Sequence, residues 1–119
     1  MSQVLKRAEE ALMALDTETL VSLYADEFLF EDTTSGERIT TREALRDYFD
    51  RLFSLPGVAF SDASFFSCGA GRAAGQWTWS GKSLNSAQDY AIAGCSLFRL
   101  AGDLISEERI FYDPRRAFV

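Results

Sequence analysis

The chain has 119 residues, the size of one domain, and 47% of them are hydrophobic, an ordinary share for a protein that folds around a core. Its formal net charge of −6 argues against binding to nucleic acid, because an acidic surface repels phosphates. The chain contains no histidine. Zinc chemistry and Ser-His or Cys-His catalysis are therefore effectively excluded, and acid–base chemistry must use carboxylates, tyrosine, lysine or cysteine.

The sequence also predicts where the protein is located and which kinds of partner it lacks. Its start, MSQVLKRAEE, turns polar at once and lacks the apolar region of a signal peptide. No apolar run is long enough to cross a membrane, and no glycine-rich phosphate-binding motif occurs. We therefore expect a cytoplasmic protein without membrane contact, metal or cofactor, in which Cys68 and Cys95 are reduced. We expect Cys95 to lie in the core.

Three helices are predicted from hydrophobic periodicity and capping signals. Residues 4–15 form an amphipathic helix, and Asp16 is a plausible N-cap for a short second helix that ends at Tyr24. Thr40-Thr41-Arg42-Glu43 has the pattern of a capping box. The helix that follows carries apolar residues at i, i+3, i+4, i+7 and i+8, and Leu55-Pro56-Gly57 ends it.

The remaining segments are predicted to be strands at residues 28–32, 58–68, 72–80, 88–100 and 104–112. Residues 33–39 are predicted to form a loop. The last four strands follow one another through short turns, which is typical of an antiparallel meander. The order ααβαββββ predicts an α+β fold in which helices cover one side of a curved, mostly antiparallel sheet, as a single domain spanning residues 1–119.

Several segments together resemble the nuclear-transport-factor-2-like superfamily, which includes SnoaL-like polyketide cyclases, ketosteroid isomerases and limonene epoxide hydrolases. They are LVSLYADEFLFED, the helix TREALRDYF that leads to LP, a tryptophan-rich strand, and CSLFRLAGDLISEERIFYD. The resemblance covers nearly the whole chain. It implies a cone-shaped fold around an apolar pocket and a homodimer paired through the outer face of the sheet. It does not imply one function, because this fold hosts unrelated chemistries and non-catalytic binders.

The ketosteroid isomerase register implies a site. It places Asp32 on the catalytic base and puts Tyr48, Trp77 and Trp79 at pocket positions. It also turns one face of the last strand inward, which makes Arg109 a candidate for holding a carboxylate or an enolate. The further candidates for the ligand pocket are Tyr24, Phe28, Phe30, Tyr90, Phe98, Glu107, Phe111 and Asp113.

Departures from the family patterns disfavour two activities. The isomerase oxyanion hole needs a tyrosine and a protonated aspartate, and these positions fall on about Ala8 and Ser96. Losing even one such donor typically costs about 10²–10³ in rate, although Tyr48 or Tyr90 could replace one. The epoxide hydrolase pattern needs an Arg and an Asp two residues apart, where this chain has Trp77 and Trp79. The pattern also needs an acid on the last strand, at a position that falls near Ile110 in this chain.

Alternatives stay open for each candidate. Asp32 could instead cap the turn that follows it, with its carboxylate accepting backbone N–H groups. Arg109 and Glu107 could form solvated salt bridges on the outer face, which would shift the pocket-facing residues of that strand by one. Trp77 and Trp79 could pack in the core or at an interface.

The sequence therefore predicts a protein that binds a small hydrophobic molecule, with a possible isomerase- or cyclase-type activity in which a carboxylate is the base. A non-catalytic ligand carrier or sensor, or a dimeric interaction module, is the alternative. If Asp32 is the base, its carboxylate must be desolvated yet within reach of the ligand. A carrier would instead keep its function after the substitution Asp32→Asn.

Overall fold

The computed structural model describes residues 3–118. Met1, Ser2 and Val119, which the predicted domain includes, lie outside the described residues. The elements are α1 (Gln3–Met13), α2 (Thr17–Ser22), β1 (Tyr24–Asp32), β2 (Glu37–Ile39), α3 (Arg42–Phe53), β3 (Ala59–Gly69), β4 (Arg72–Lys82), β5 (Asp89–Ala101), β6 (Leu104–Tyr112) and a final 3-10 helix (Arg115–Phe118).

The predicted α+β class is confirmed, with two local differences. Strand β1 begins at Tyr24, which the periodicity assigned to the second helix, because Leu23 already caps α2 and Tyr24 pairs with Ile105 of β6. The predicted loop also contains the short strand β2. It pairs with β1 across a turn in which Gly36 has a φ of +79°, a conformation that glycine adopts without a steric penalty.

The six described strands form one sheet in the order β2-β1-β6-β5-β4-β3. Strands β1 and β6 are parallel, and the other neighbouring pairs are antiparallel. Helix α1 packs against β3 and α2, and α2 packs against α3. Because the long meander curves and the helices lie against one of its faces, the apolar side chains of both layers meet in a common interior.

The capping residues and the apolar face that the sequence predicts are present in the helices. Asp16 caps α2 by accepting the backbone N–H of Thr19, and the hydroxyl of Thr41 accepts the N–H of Ala44 at the start of α3. The buried face of α1 is Val4, Leu5, Ala8, Ala11 and Leu12. These residues pack onto an interior that is rich in aromatic rings contributed by α3 and the sheet.

Strand β6 contains an irregularity that decides which of its side chains face the interior. Arg99 pairs with Glu107 and the next residue, Leu100, pairs with Ile105, so Ser106 is an extra residue on β6. Such a bulge breaks the alternation of the strand. Ile105 is buried, and after the bulge the buried side chains are Glu108 and Ile110. The assignment of Glu107 and Arg109 to the same face as Ile105 was therefore wrong.

Candidate ligand-binding cavity

A cavity lies between the helices and the concave face of the sheet. Its volume is about 70 Å³. Most of its wall is aromatic. The residues that line it are Leu12, Phe30, Tyr48, Phe49, Leu52, Phe60, Trp77, Trp79, Glu108, Ile110 and Tyr112. A mostly apolar wall that includes a single carboxyl group is typical of a small-molecule site.

Asp32 is buried at the end of β1 and accepts four hydrogen bonds. The backbone N–H groups of Thr34 and Ser35 donate to its Oδ1 at 3.1 Å each. The hydroxyls of Tyr48 and Tyr112 donate to its Oδ2 at 2.9 and 2.6 Å. Both interpretations of Asp32 are thus partly realised, because the side chain caps the turn and is also buried among aromatic residues.

Asp32 does not itself line the cavity. Its tyrosine partners Tyr48 and Tyr112 do, so their side chains stand between the carboxylate and the space. Burial, followed by the nearby charge of Asp32, raises the pKa of Tyr48. Burial and the hydrogen bond to Asp32 also raise the pKa of Tyr112. Both tyrosines are therefore neutral donors across the physiological range, and the catalytic role of Asp32 stays a prediction that this geometry does not favour.

Glu108 is the carboxyl group in the cavity wall. Its side chain is buried, and its Oε1 accepts a short hydrogen bond from the hydroxyl of Tyr24. Its Oε2 accepts the hydroxyl of Ser96 at 2.8 Å, and Ser96 in turn accepts the indole N–H of Trp77 at 3.0 Å. Burial raises the pKa of Glu108, and the hydrogen bonds from Tyr24 and Ser96 oppose part of this rise.

The same glutamate also lines a second, smaller cavity. That cavity has a volume of about 30 Å³ and lies on the side of α1 and β5. The residues that line it are Ala8, Leu12, Leu20, Tyr24, Phe49, Phe65, Phe98, Ile105 and Glu108. Glu108, Leu12 and Phe49 belong to both walls. The carboxyl group therefore stands between two apolar spaces in the interior of the fold.

A second polar group of the cavity wall is incompletely bonded. The indole Nε1 of Trp79 is buried and has no hydrogen-bond partner among the described residues. The indole lies near the hydroxyl of Tyr90 but is not aligned to donate a hydrogen bond to it. Burial raises the pKa of Tyr90, and the nearby indole of Trp79 lowers it by a smaller amount. An acceptor on a bound molecule could satisfy this donor.

Several predicted site residues do line the larger cavity, namely Phe30, Tyr48, Trp77 and Trp79. Tyr24 and Phe98 line the smaller one. Phe28 and Tyr90 are buried in the core without lining either space. Whether any of these residues contacts a ligand stays a prediction.

The predicted residues of the last strand and its end lie elsewhere. Arg109 forms an ion pair with Glu31 at 3.0 Å and stacks over Phe111, while Glu107 lies 3.7 Å from Arg99. These contacts are the outer-face salt bridges of the alternative interpretation. Asp113, beyond the strand, pairs with Arg115 and is exposed. Placing Glu107, Arg109, Phe111 and Asp113 in the pocket was wrong because the bulge at Ser106 reverses the inward face.

Sequence reasoning missed Glu108 as a site residue. The other wall residues that it missed are Leu12, Phe49, Leu52, Phe60, Ile110 and Tyr112. The available signal was the pair Glu107-Glu108 in the last strand. Simple alternation assigned the wrong glutamate to the interior. Cys95, expected in the core, is exposed, and Cys68 is exposed as well; both are free thiols.

Among residues 3–118, no group of three or more aspartate, glutamate or cysteine side chains could hold a metal ion. In the same residues, no helix has the length and apolar character needed to cross a membrane.

The fold and the cavity define a small α+β protein with a mostly aromatic interior cavity. The family model of the SnoaL-like domain matches residues 5–108, and the chain belongs to this family. No significant match is found among curated proteins.

Solved structures show the same fold at low sequence identity. A hypothetical protein of ketosteroid isomerase-like fold from Catenulispora acidiphila, in complex with trimethylamine, has a TM-score of 0.80 and 16% identity over 95% of this chain and 88% of that one. A protein provisionally named a polyketide cyclase from Silicibacter has a TM-score of 0.80 and 19% identity, covering 97% and 93%. One provisionally named a SnoaL-like polyketide cyclase from Shewanella putrefaciens has a TM-score of 0.72 and 20% identity, covering 95% and 89%.

Proposed function

We propose that this protein binds a small, mostly apolar molecule in the larger cavity, and that Glu108 meets the polar group of that molecule. The observation that carries the proposal is the position of Glu108, a buried carboxyl in a wall made largely of aromatic rings. Apolar surfaces supply the affinity in such sites, while a few polar groups fix the orientation of the ligand.

A second candidate function is proton transfer of the isomerase or cyclase type. It is supported by the burial that raises the pKa of Glu108, because a carboxyl shifted toward neutral pH can both accept and return a proton. Asp32 is less suited to this role, since each of its oxygens already accepts two hydrogen bonds and two tyrosines separate it from the cavity. In this reaction Glu108 would remove a proton from one carbon of the ligand and return it to another carbon of the same molecule.

A non-catalytic role as carrier, sensor or interaction module remains the alternative. Exposed apolar surface on the outer face of β5, at Ala91, Ala93 and Leu97, supports a homodimer. We retain the homodimer and the cytoplasmic location as predictions. The two functions separate on activity: a carrier binds its ligand unchanged, whereas an enzyme loses turnover when Glu108 loses its exchangeable proton.

The test is a thermal-shift screen of hydrophobic ketones, terpenoids, aromatic acids and amines against the wild type, Glu108→Gln and Glu107→Gln. The two variants carry the same substitution on adjacent residues that face opposite sides of β6. A ligand that binds the native state raises the melting temperature. We expect ligands to stabilise the wild type and Glu107→Gln alike, and Glu108→Gln less.

Two results would contradict the proposal. One is that no compound class raises the melting temperature of the wild type. The other is that the ligands found stabilise Glu108→Gln as much as the wild type, which would place their polar group elsewhere. For the second candidate function, turnover of a stabilising ligand by the wild type and by Glu107→Gln but not by Glu108→Gln would establish Glu108 as the proton carrier.

A further inference from the structure

The carboxyl groups in and behind the cavity wall lack a basic partner among the described residues. Glu108 stands in the walls of both cavities, and Asp32 lies one side chain behind the larger one. No lysine or arginine within residues 3–118 lines either space. The two sequence neighbours of Glu108 form ion pairs on the outer face of the sheet, Arg109 with Glu31 and Glu107 with Arg99.

A buried carboxylate without a cation is costly to ionise. The hydrogen bonds from Tyr24 and Ser96 favour the ionised form of Glu108, but burial outweighs them and raises its pKa. A positive charge in the cavity would remove this cost by pairing with the carboxylate. The wall is therefore better matched to a cation than to a neutral molecule or an anion.

The aromatic rings add a second attraction for a cation. Trp77 and Trp79 each contact Tyr112, with ring centroids 6.2 and 5.8 Å apart and interplanar angles of 53° and 85°. Phe60 meets Trp77 at 68°. These four rings all line the larger cavity, and aromatic faces attract organic cations, most strongly in desolvated sites.

The chemistry of the wall limits the kind of cation. An inorganic cation needs several oxygen ligands, and no such acidic cluster occurs among the described residues. A primary ammonium brings three N–H donors, for which Glu108 is the only carboxyl acceptor in the wall. Alkyl groups on the nitrogen remove those donors and match the apolar rings.

We propose that the cavity prefers a small tertiary or quaternary ammonium compound, with Glu108 as its counter-ion and the aromatic rings around its alkyl groups. This inference rests on the proposed function and narrows its ligand class. Glu108 is the ionic anchor, and Tyr48, Trp77, Trp79 and Tyr112 form the cage.

The experiment compares choline with 3,3-dimethylbutan-1-ol, a neutral molecule of nearly the same shape. Binding of each is titrated by calorimetry or tryptophan fluorescence to the wild type, Glu108→Gln and Glu107→Gln. We expect the wild type and Glu107→Gln to bind choline about tenfold or more tightly than the alcohol, because charge pairing and ring contacts add to apolar burial. Glu108→Gln should lose this preference for choline over the alcohol.

The pH dependence gives an independent readout, since choline is charged at every pH. Choline affinity should rise with pH as Glu108 ionises, while affinity for the alcohol should not rise. The titratable groups near Glu108 are Tyr24 on β1 and Tyr48 on α3, with Asp32 behind Tyr48 and Tyr112 further along β6. The tyrosines have pKa values raised by burial and stay neutral below pH 9, so ionisation of Glu108 controls the profile.

The outcomes separate this inference from the proposed function. If the alcohol binds as tightly as choline or more so, or if Glu108→Gln keeps the preference for choline, the ammonium inference is overturned while the cavity remains a binding site. If neither probe binds the wild type, the ammonium inference is also overturned. The panel of ketones, terpenoids and aromatic acids described above then decides separately whether the cavity binds any ligand.

Discussion

The hydroxyl of Tyr112 donates to Oδ2 of Asp32 at 2.6 Å and joins two residues that are 80 positions apart in the chain. Tyr48 from α3 donates to the same oxygen. One buried carboxylate thus ties together the ends of β1 and β6 and the middle of α3. These contacts hold the tyrosines at the edge of the cavity, so Asp32 shapes the wall without lining it.

We expect Asp32→Asn to lower the free energy of unfolding by about 2–4 kcal/mol, because the amide cannot accept every donor that now reaches the carboxylate. Tyr48→Phe and Tyr112→Phe each remove one donor and should each cost about 1–2 kcal/mol. Denaturation in urea measures all three changes. In a double-mutant cycle, Asp32→Asn and Tyr112→Phe should be clearly non-additive. Additive effects would show that the hydrogen bond between them contributes little.

Glu108 should make the protein less stable as the pH rises. Its folded pKa is raised above its unfolded value, so the folded state holds the proton longer. The resulting stability is fully present below the unfolded pKa, near 4.3, and is lost as the pH rises through the folded pKa. The loss has a slope of up to about 1.4 kcal/mol per pH unit.

The measurement is the free energy of unfolding from pH 4 to pH 8 for the wild type and for Glu108→Gln. Relative to the wild type, Glu108→Gln should gain stability across this range. Glu107→Gln controls for the loss of a charge on the partly exposed outer face and should show a much smaller change. The same pH slope in the wild type and Glu108→Gln would contradict the account.

Arg109→Gln should have little effect on the protein. The Arg109 side chain is 43% exposed in its ion pair with Glu31, and such solvated pairs contribute about 0–1 kcal/mol. The change should shrink at high salt and leave the affinity for cavity ligands unaltered. Loss of ligand binding in this variant, measured by the same titrations, would restore Arg109 as a site residue.

Gly94→Ala should disturb the cavity wall. A Cβ at Gly94 would lie 2.2 Å from Cη2 of Trp77, so the indole must move and its hydrogen bond to Ser96 is put under strain. Overpacking of this kind costs about 1–3 kcal/mol. We expect reduced stability in urea and an altered tryptophan emission spectrum.

The control is Gly102→Ala, at a turn where φ is +62° and no atom lies within 4 Å of the added Cβ. Backbone strain alone should lower its stability by about 1 kcal/mol. Its tryptophan emission should match that of the wild type. Identical spectra for both variants would mean that Gly94 does not position Trp77.

The sequence predicted the elements well because their signals are local. The periodicity of α3, the Thr41 cap and the turns around Gly71 and Gly102 each depend on a few adjacent residues. The cavity wall was predicted in part, since Trp77 and Trp79 alternate regularly along β4. Glu108 was missed because its inward position depends on a bulge, which forms only when β5 and β6 pair and has no composition signal at Ser106.

The central claim is that a small molecule enters the cavity beside Glu108. Methyl NMR of the wild type with choline or with 3,3-dimethylbutan-1-ol tests it most directly. Leu12, Leu52 and Ile110 have methyl groups in the cavity wall, whereas Leu97 and Leu104 are exposed elsewhere. The account predicts saturable shifts centred on Leu12, Leu52 and Ile110. Shifts confined to Leu97 and Leu104 would contradict it, and so would no shift with either probe and with every compound of the thermal-shift panel.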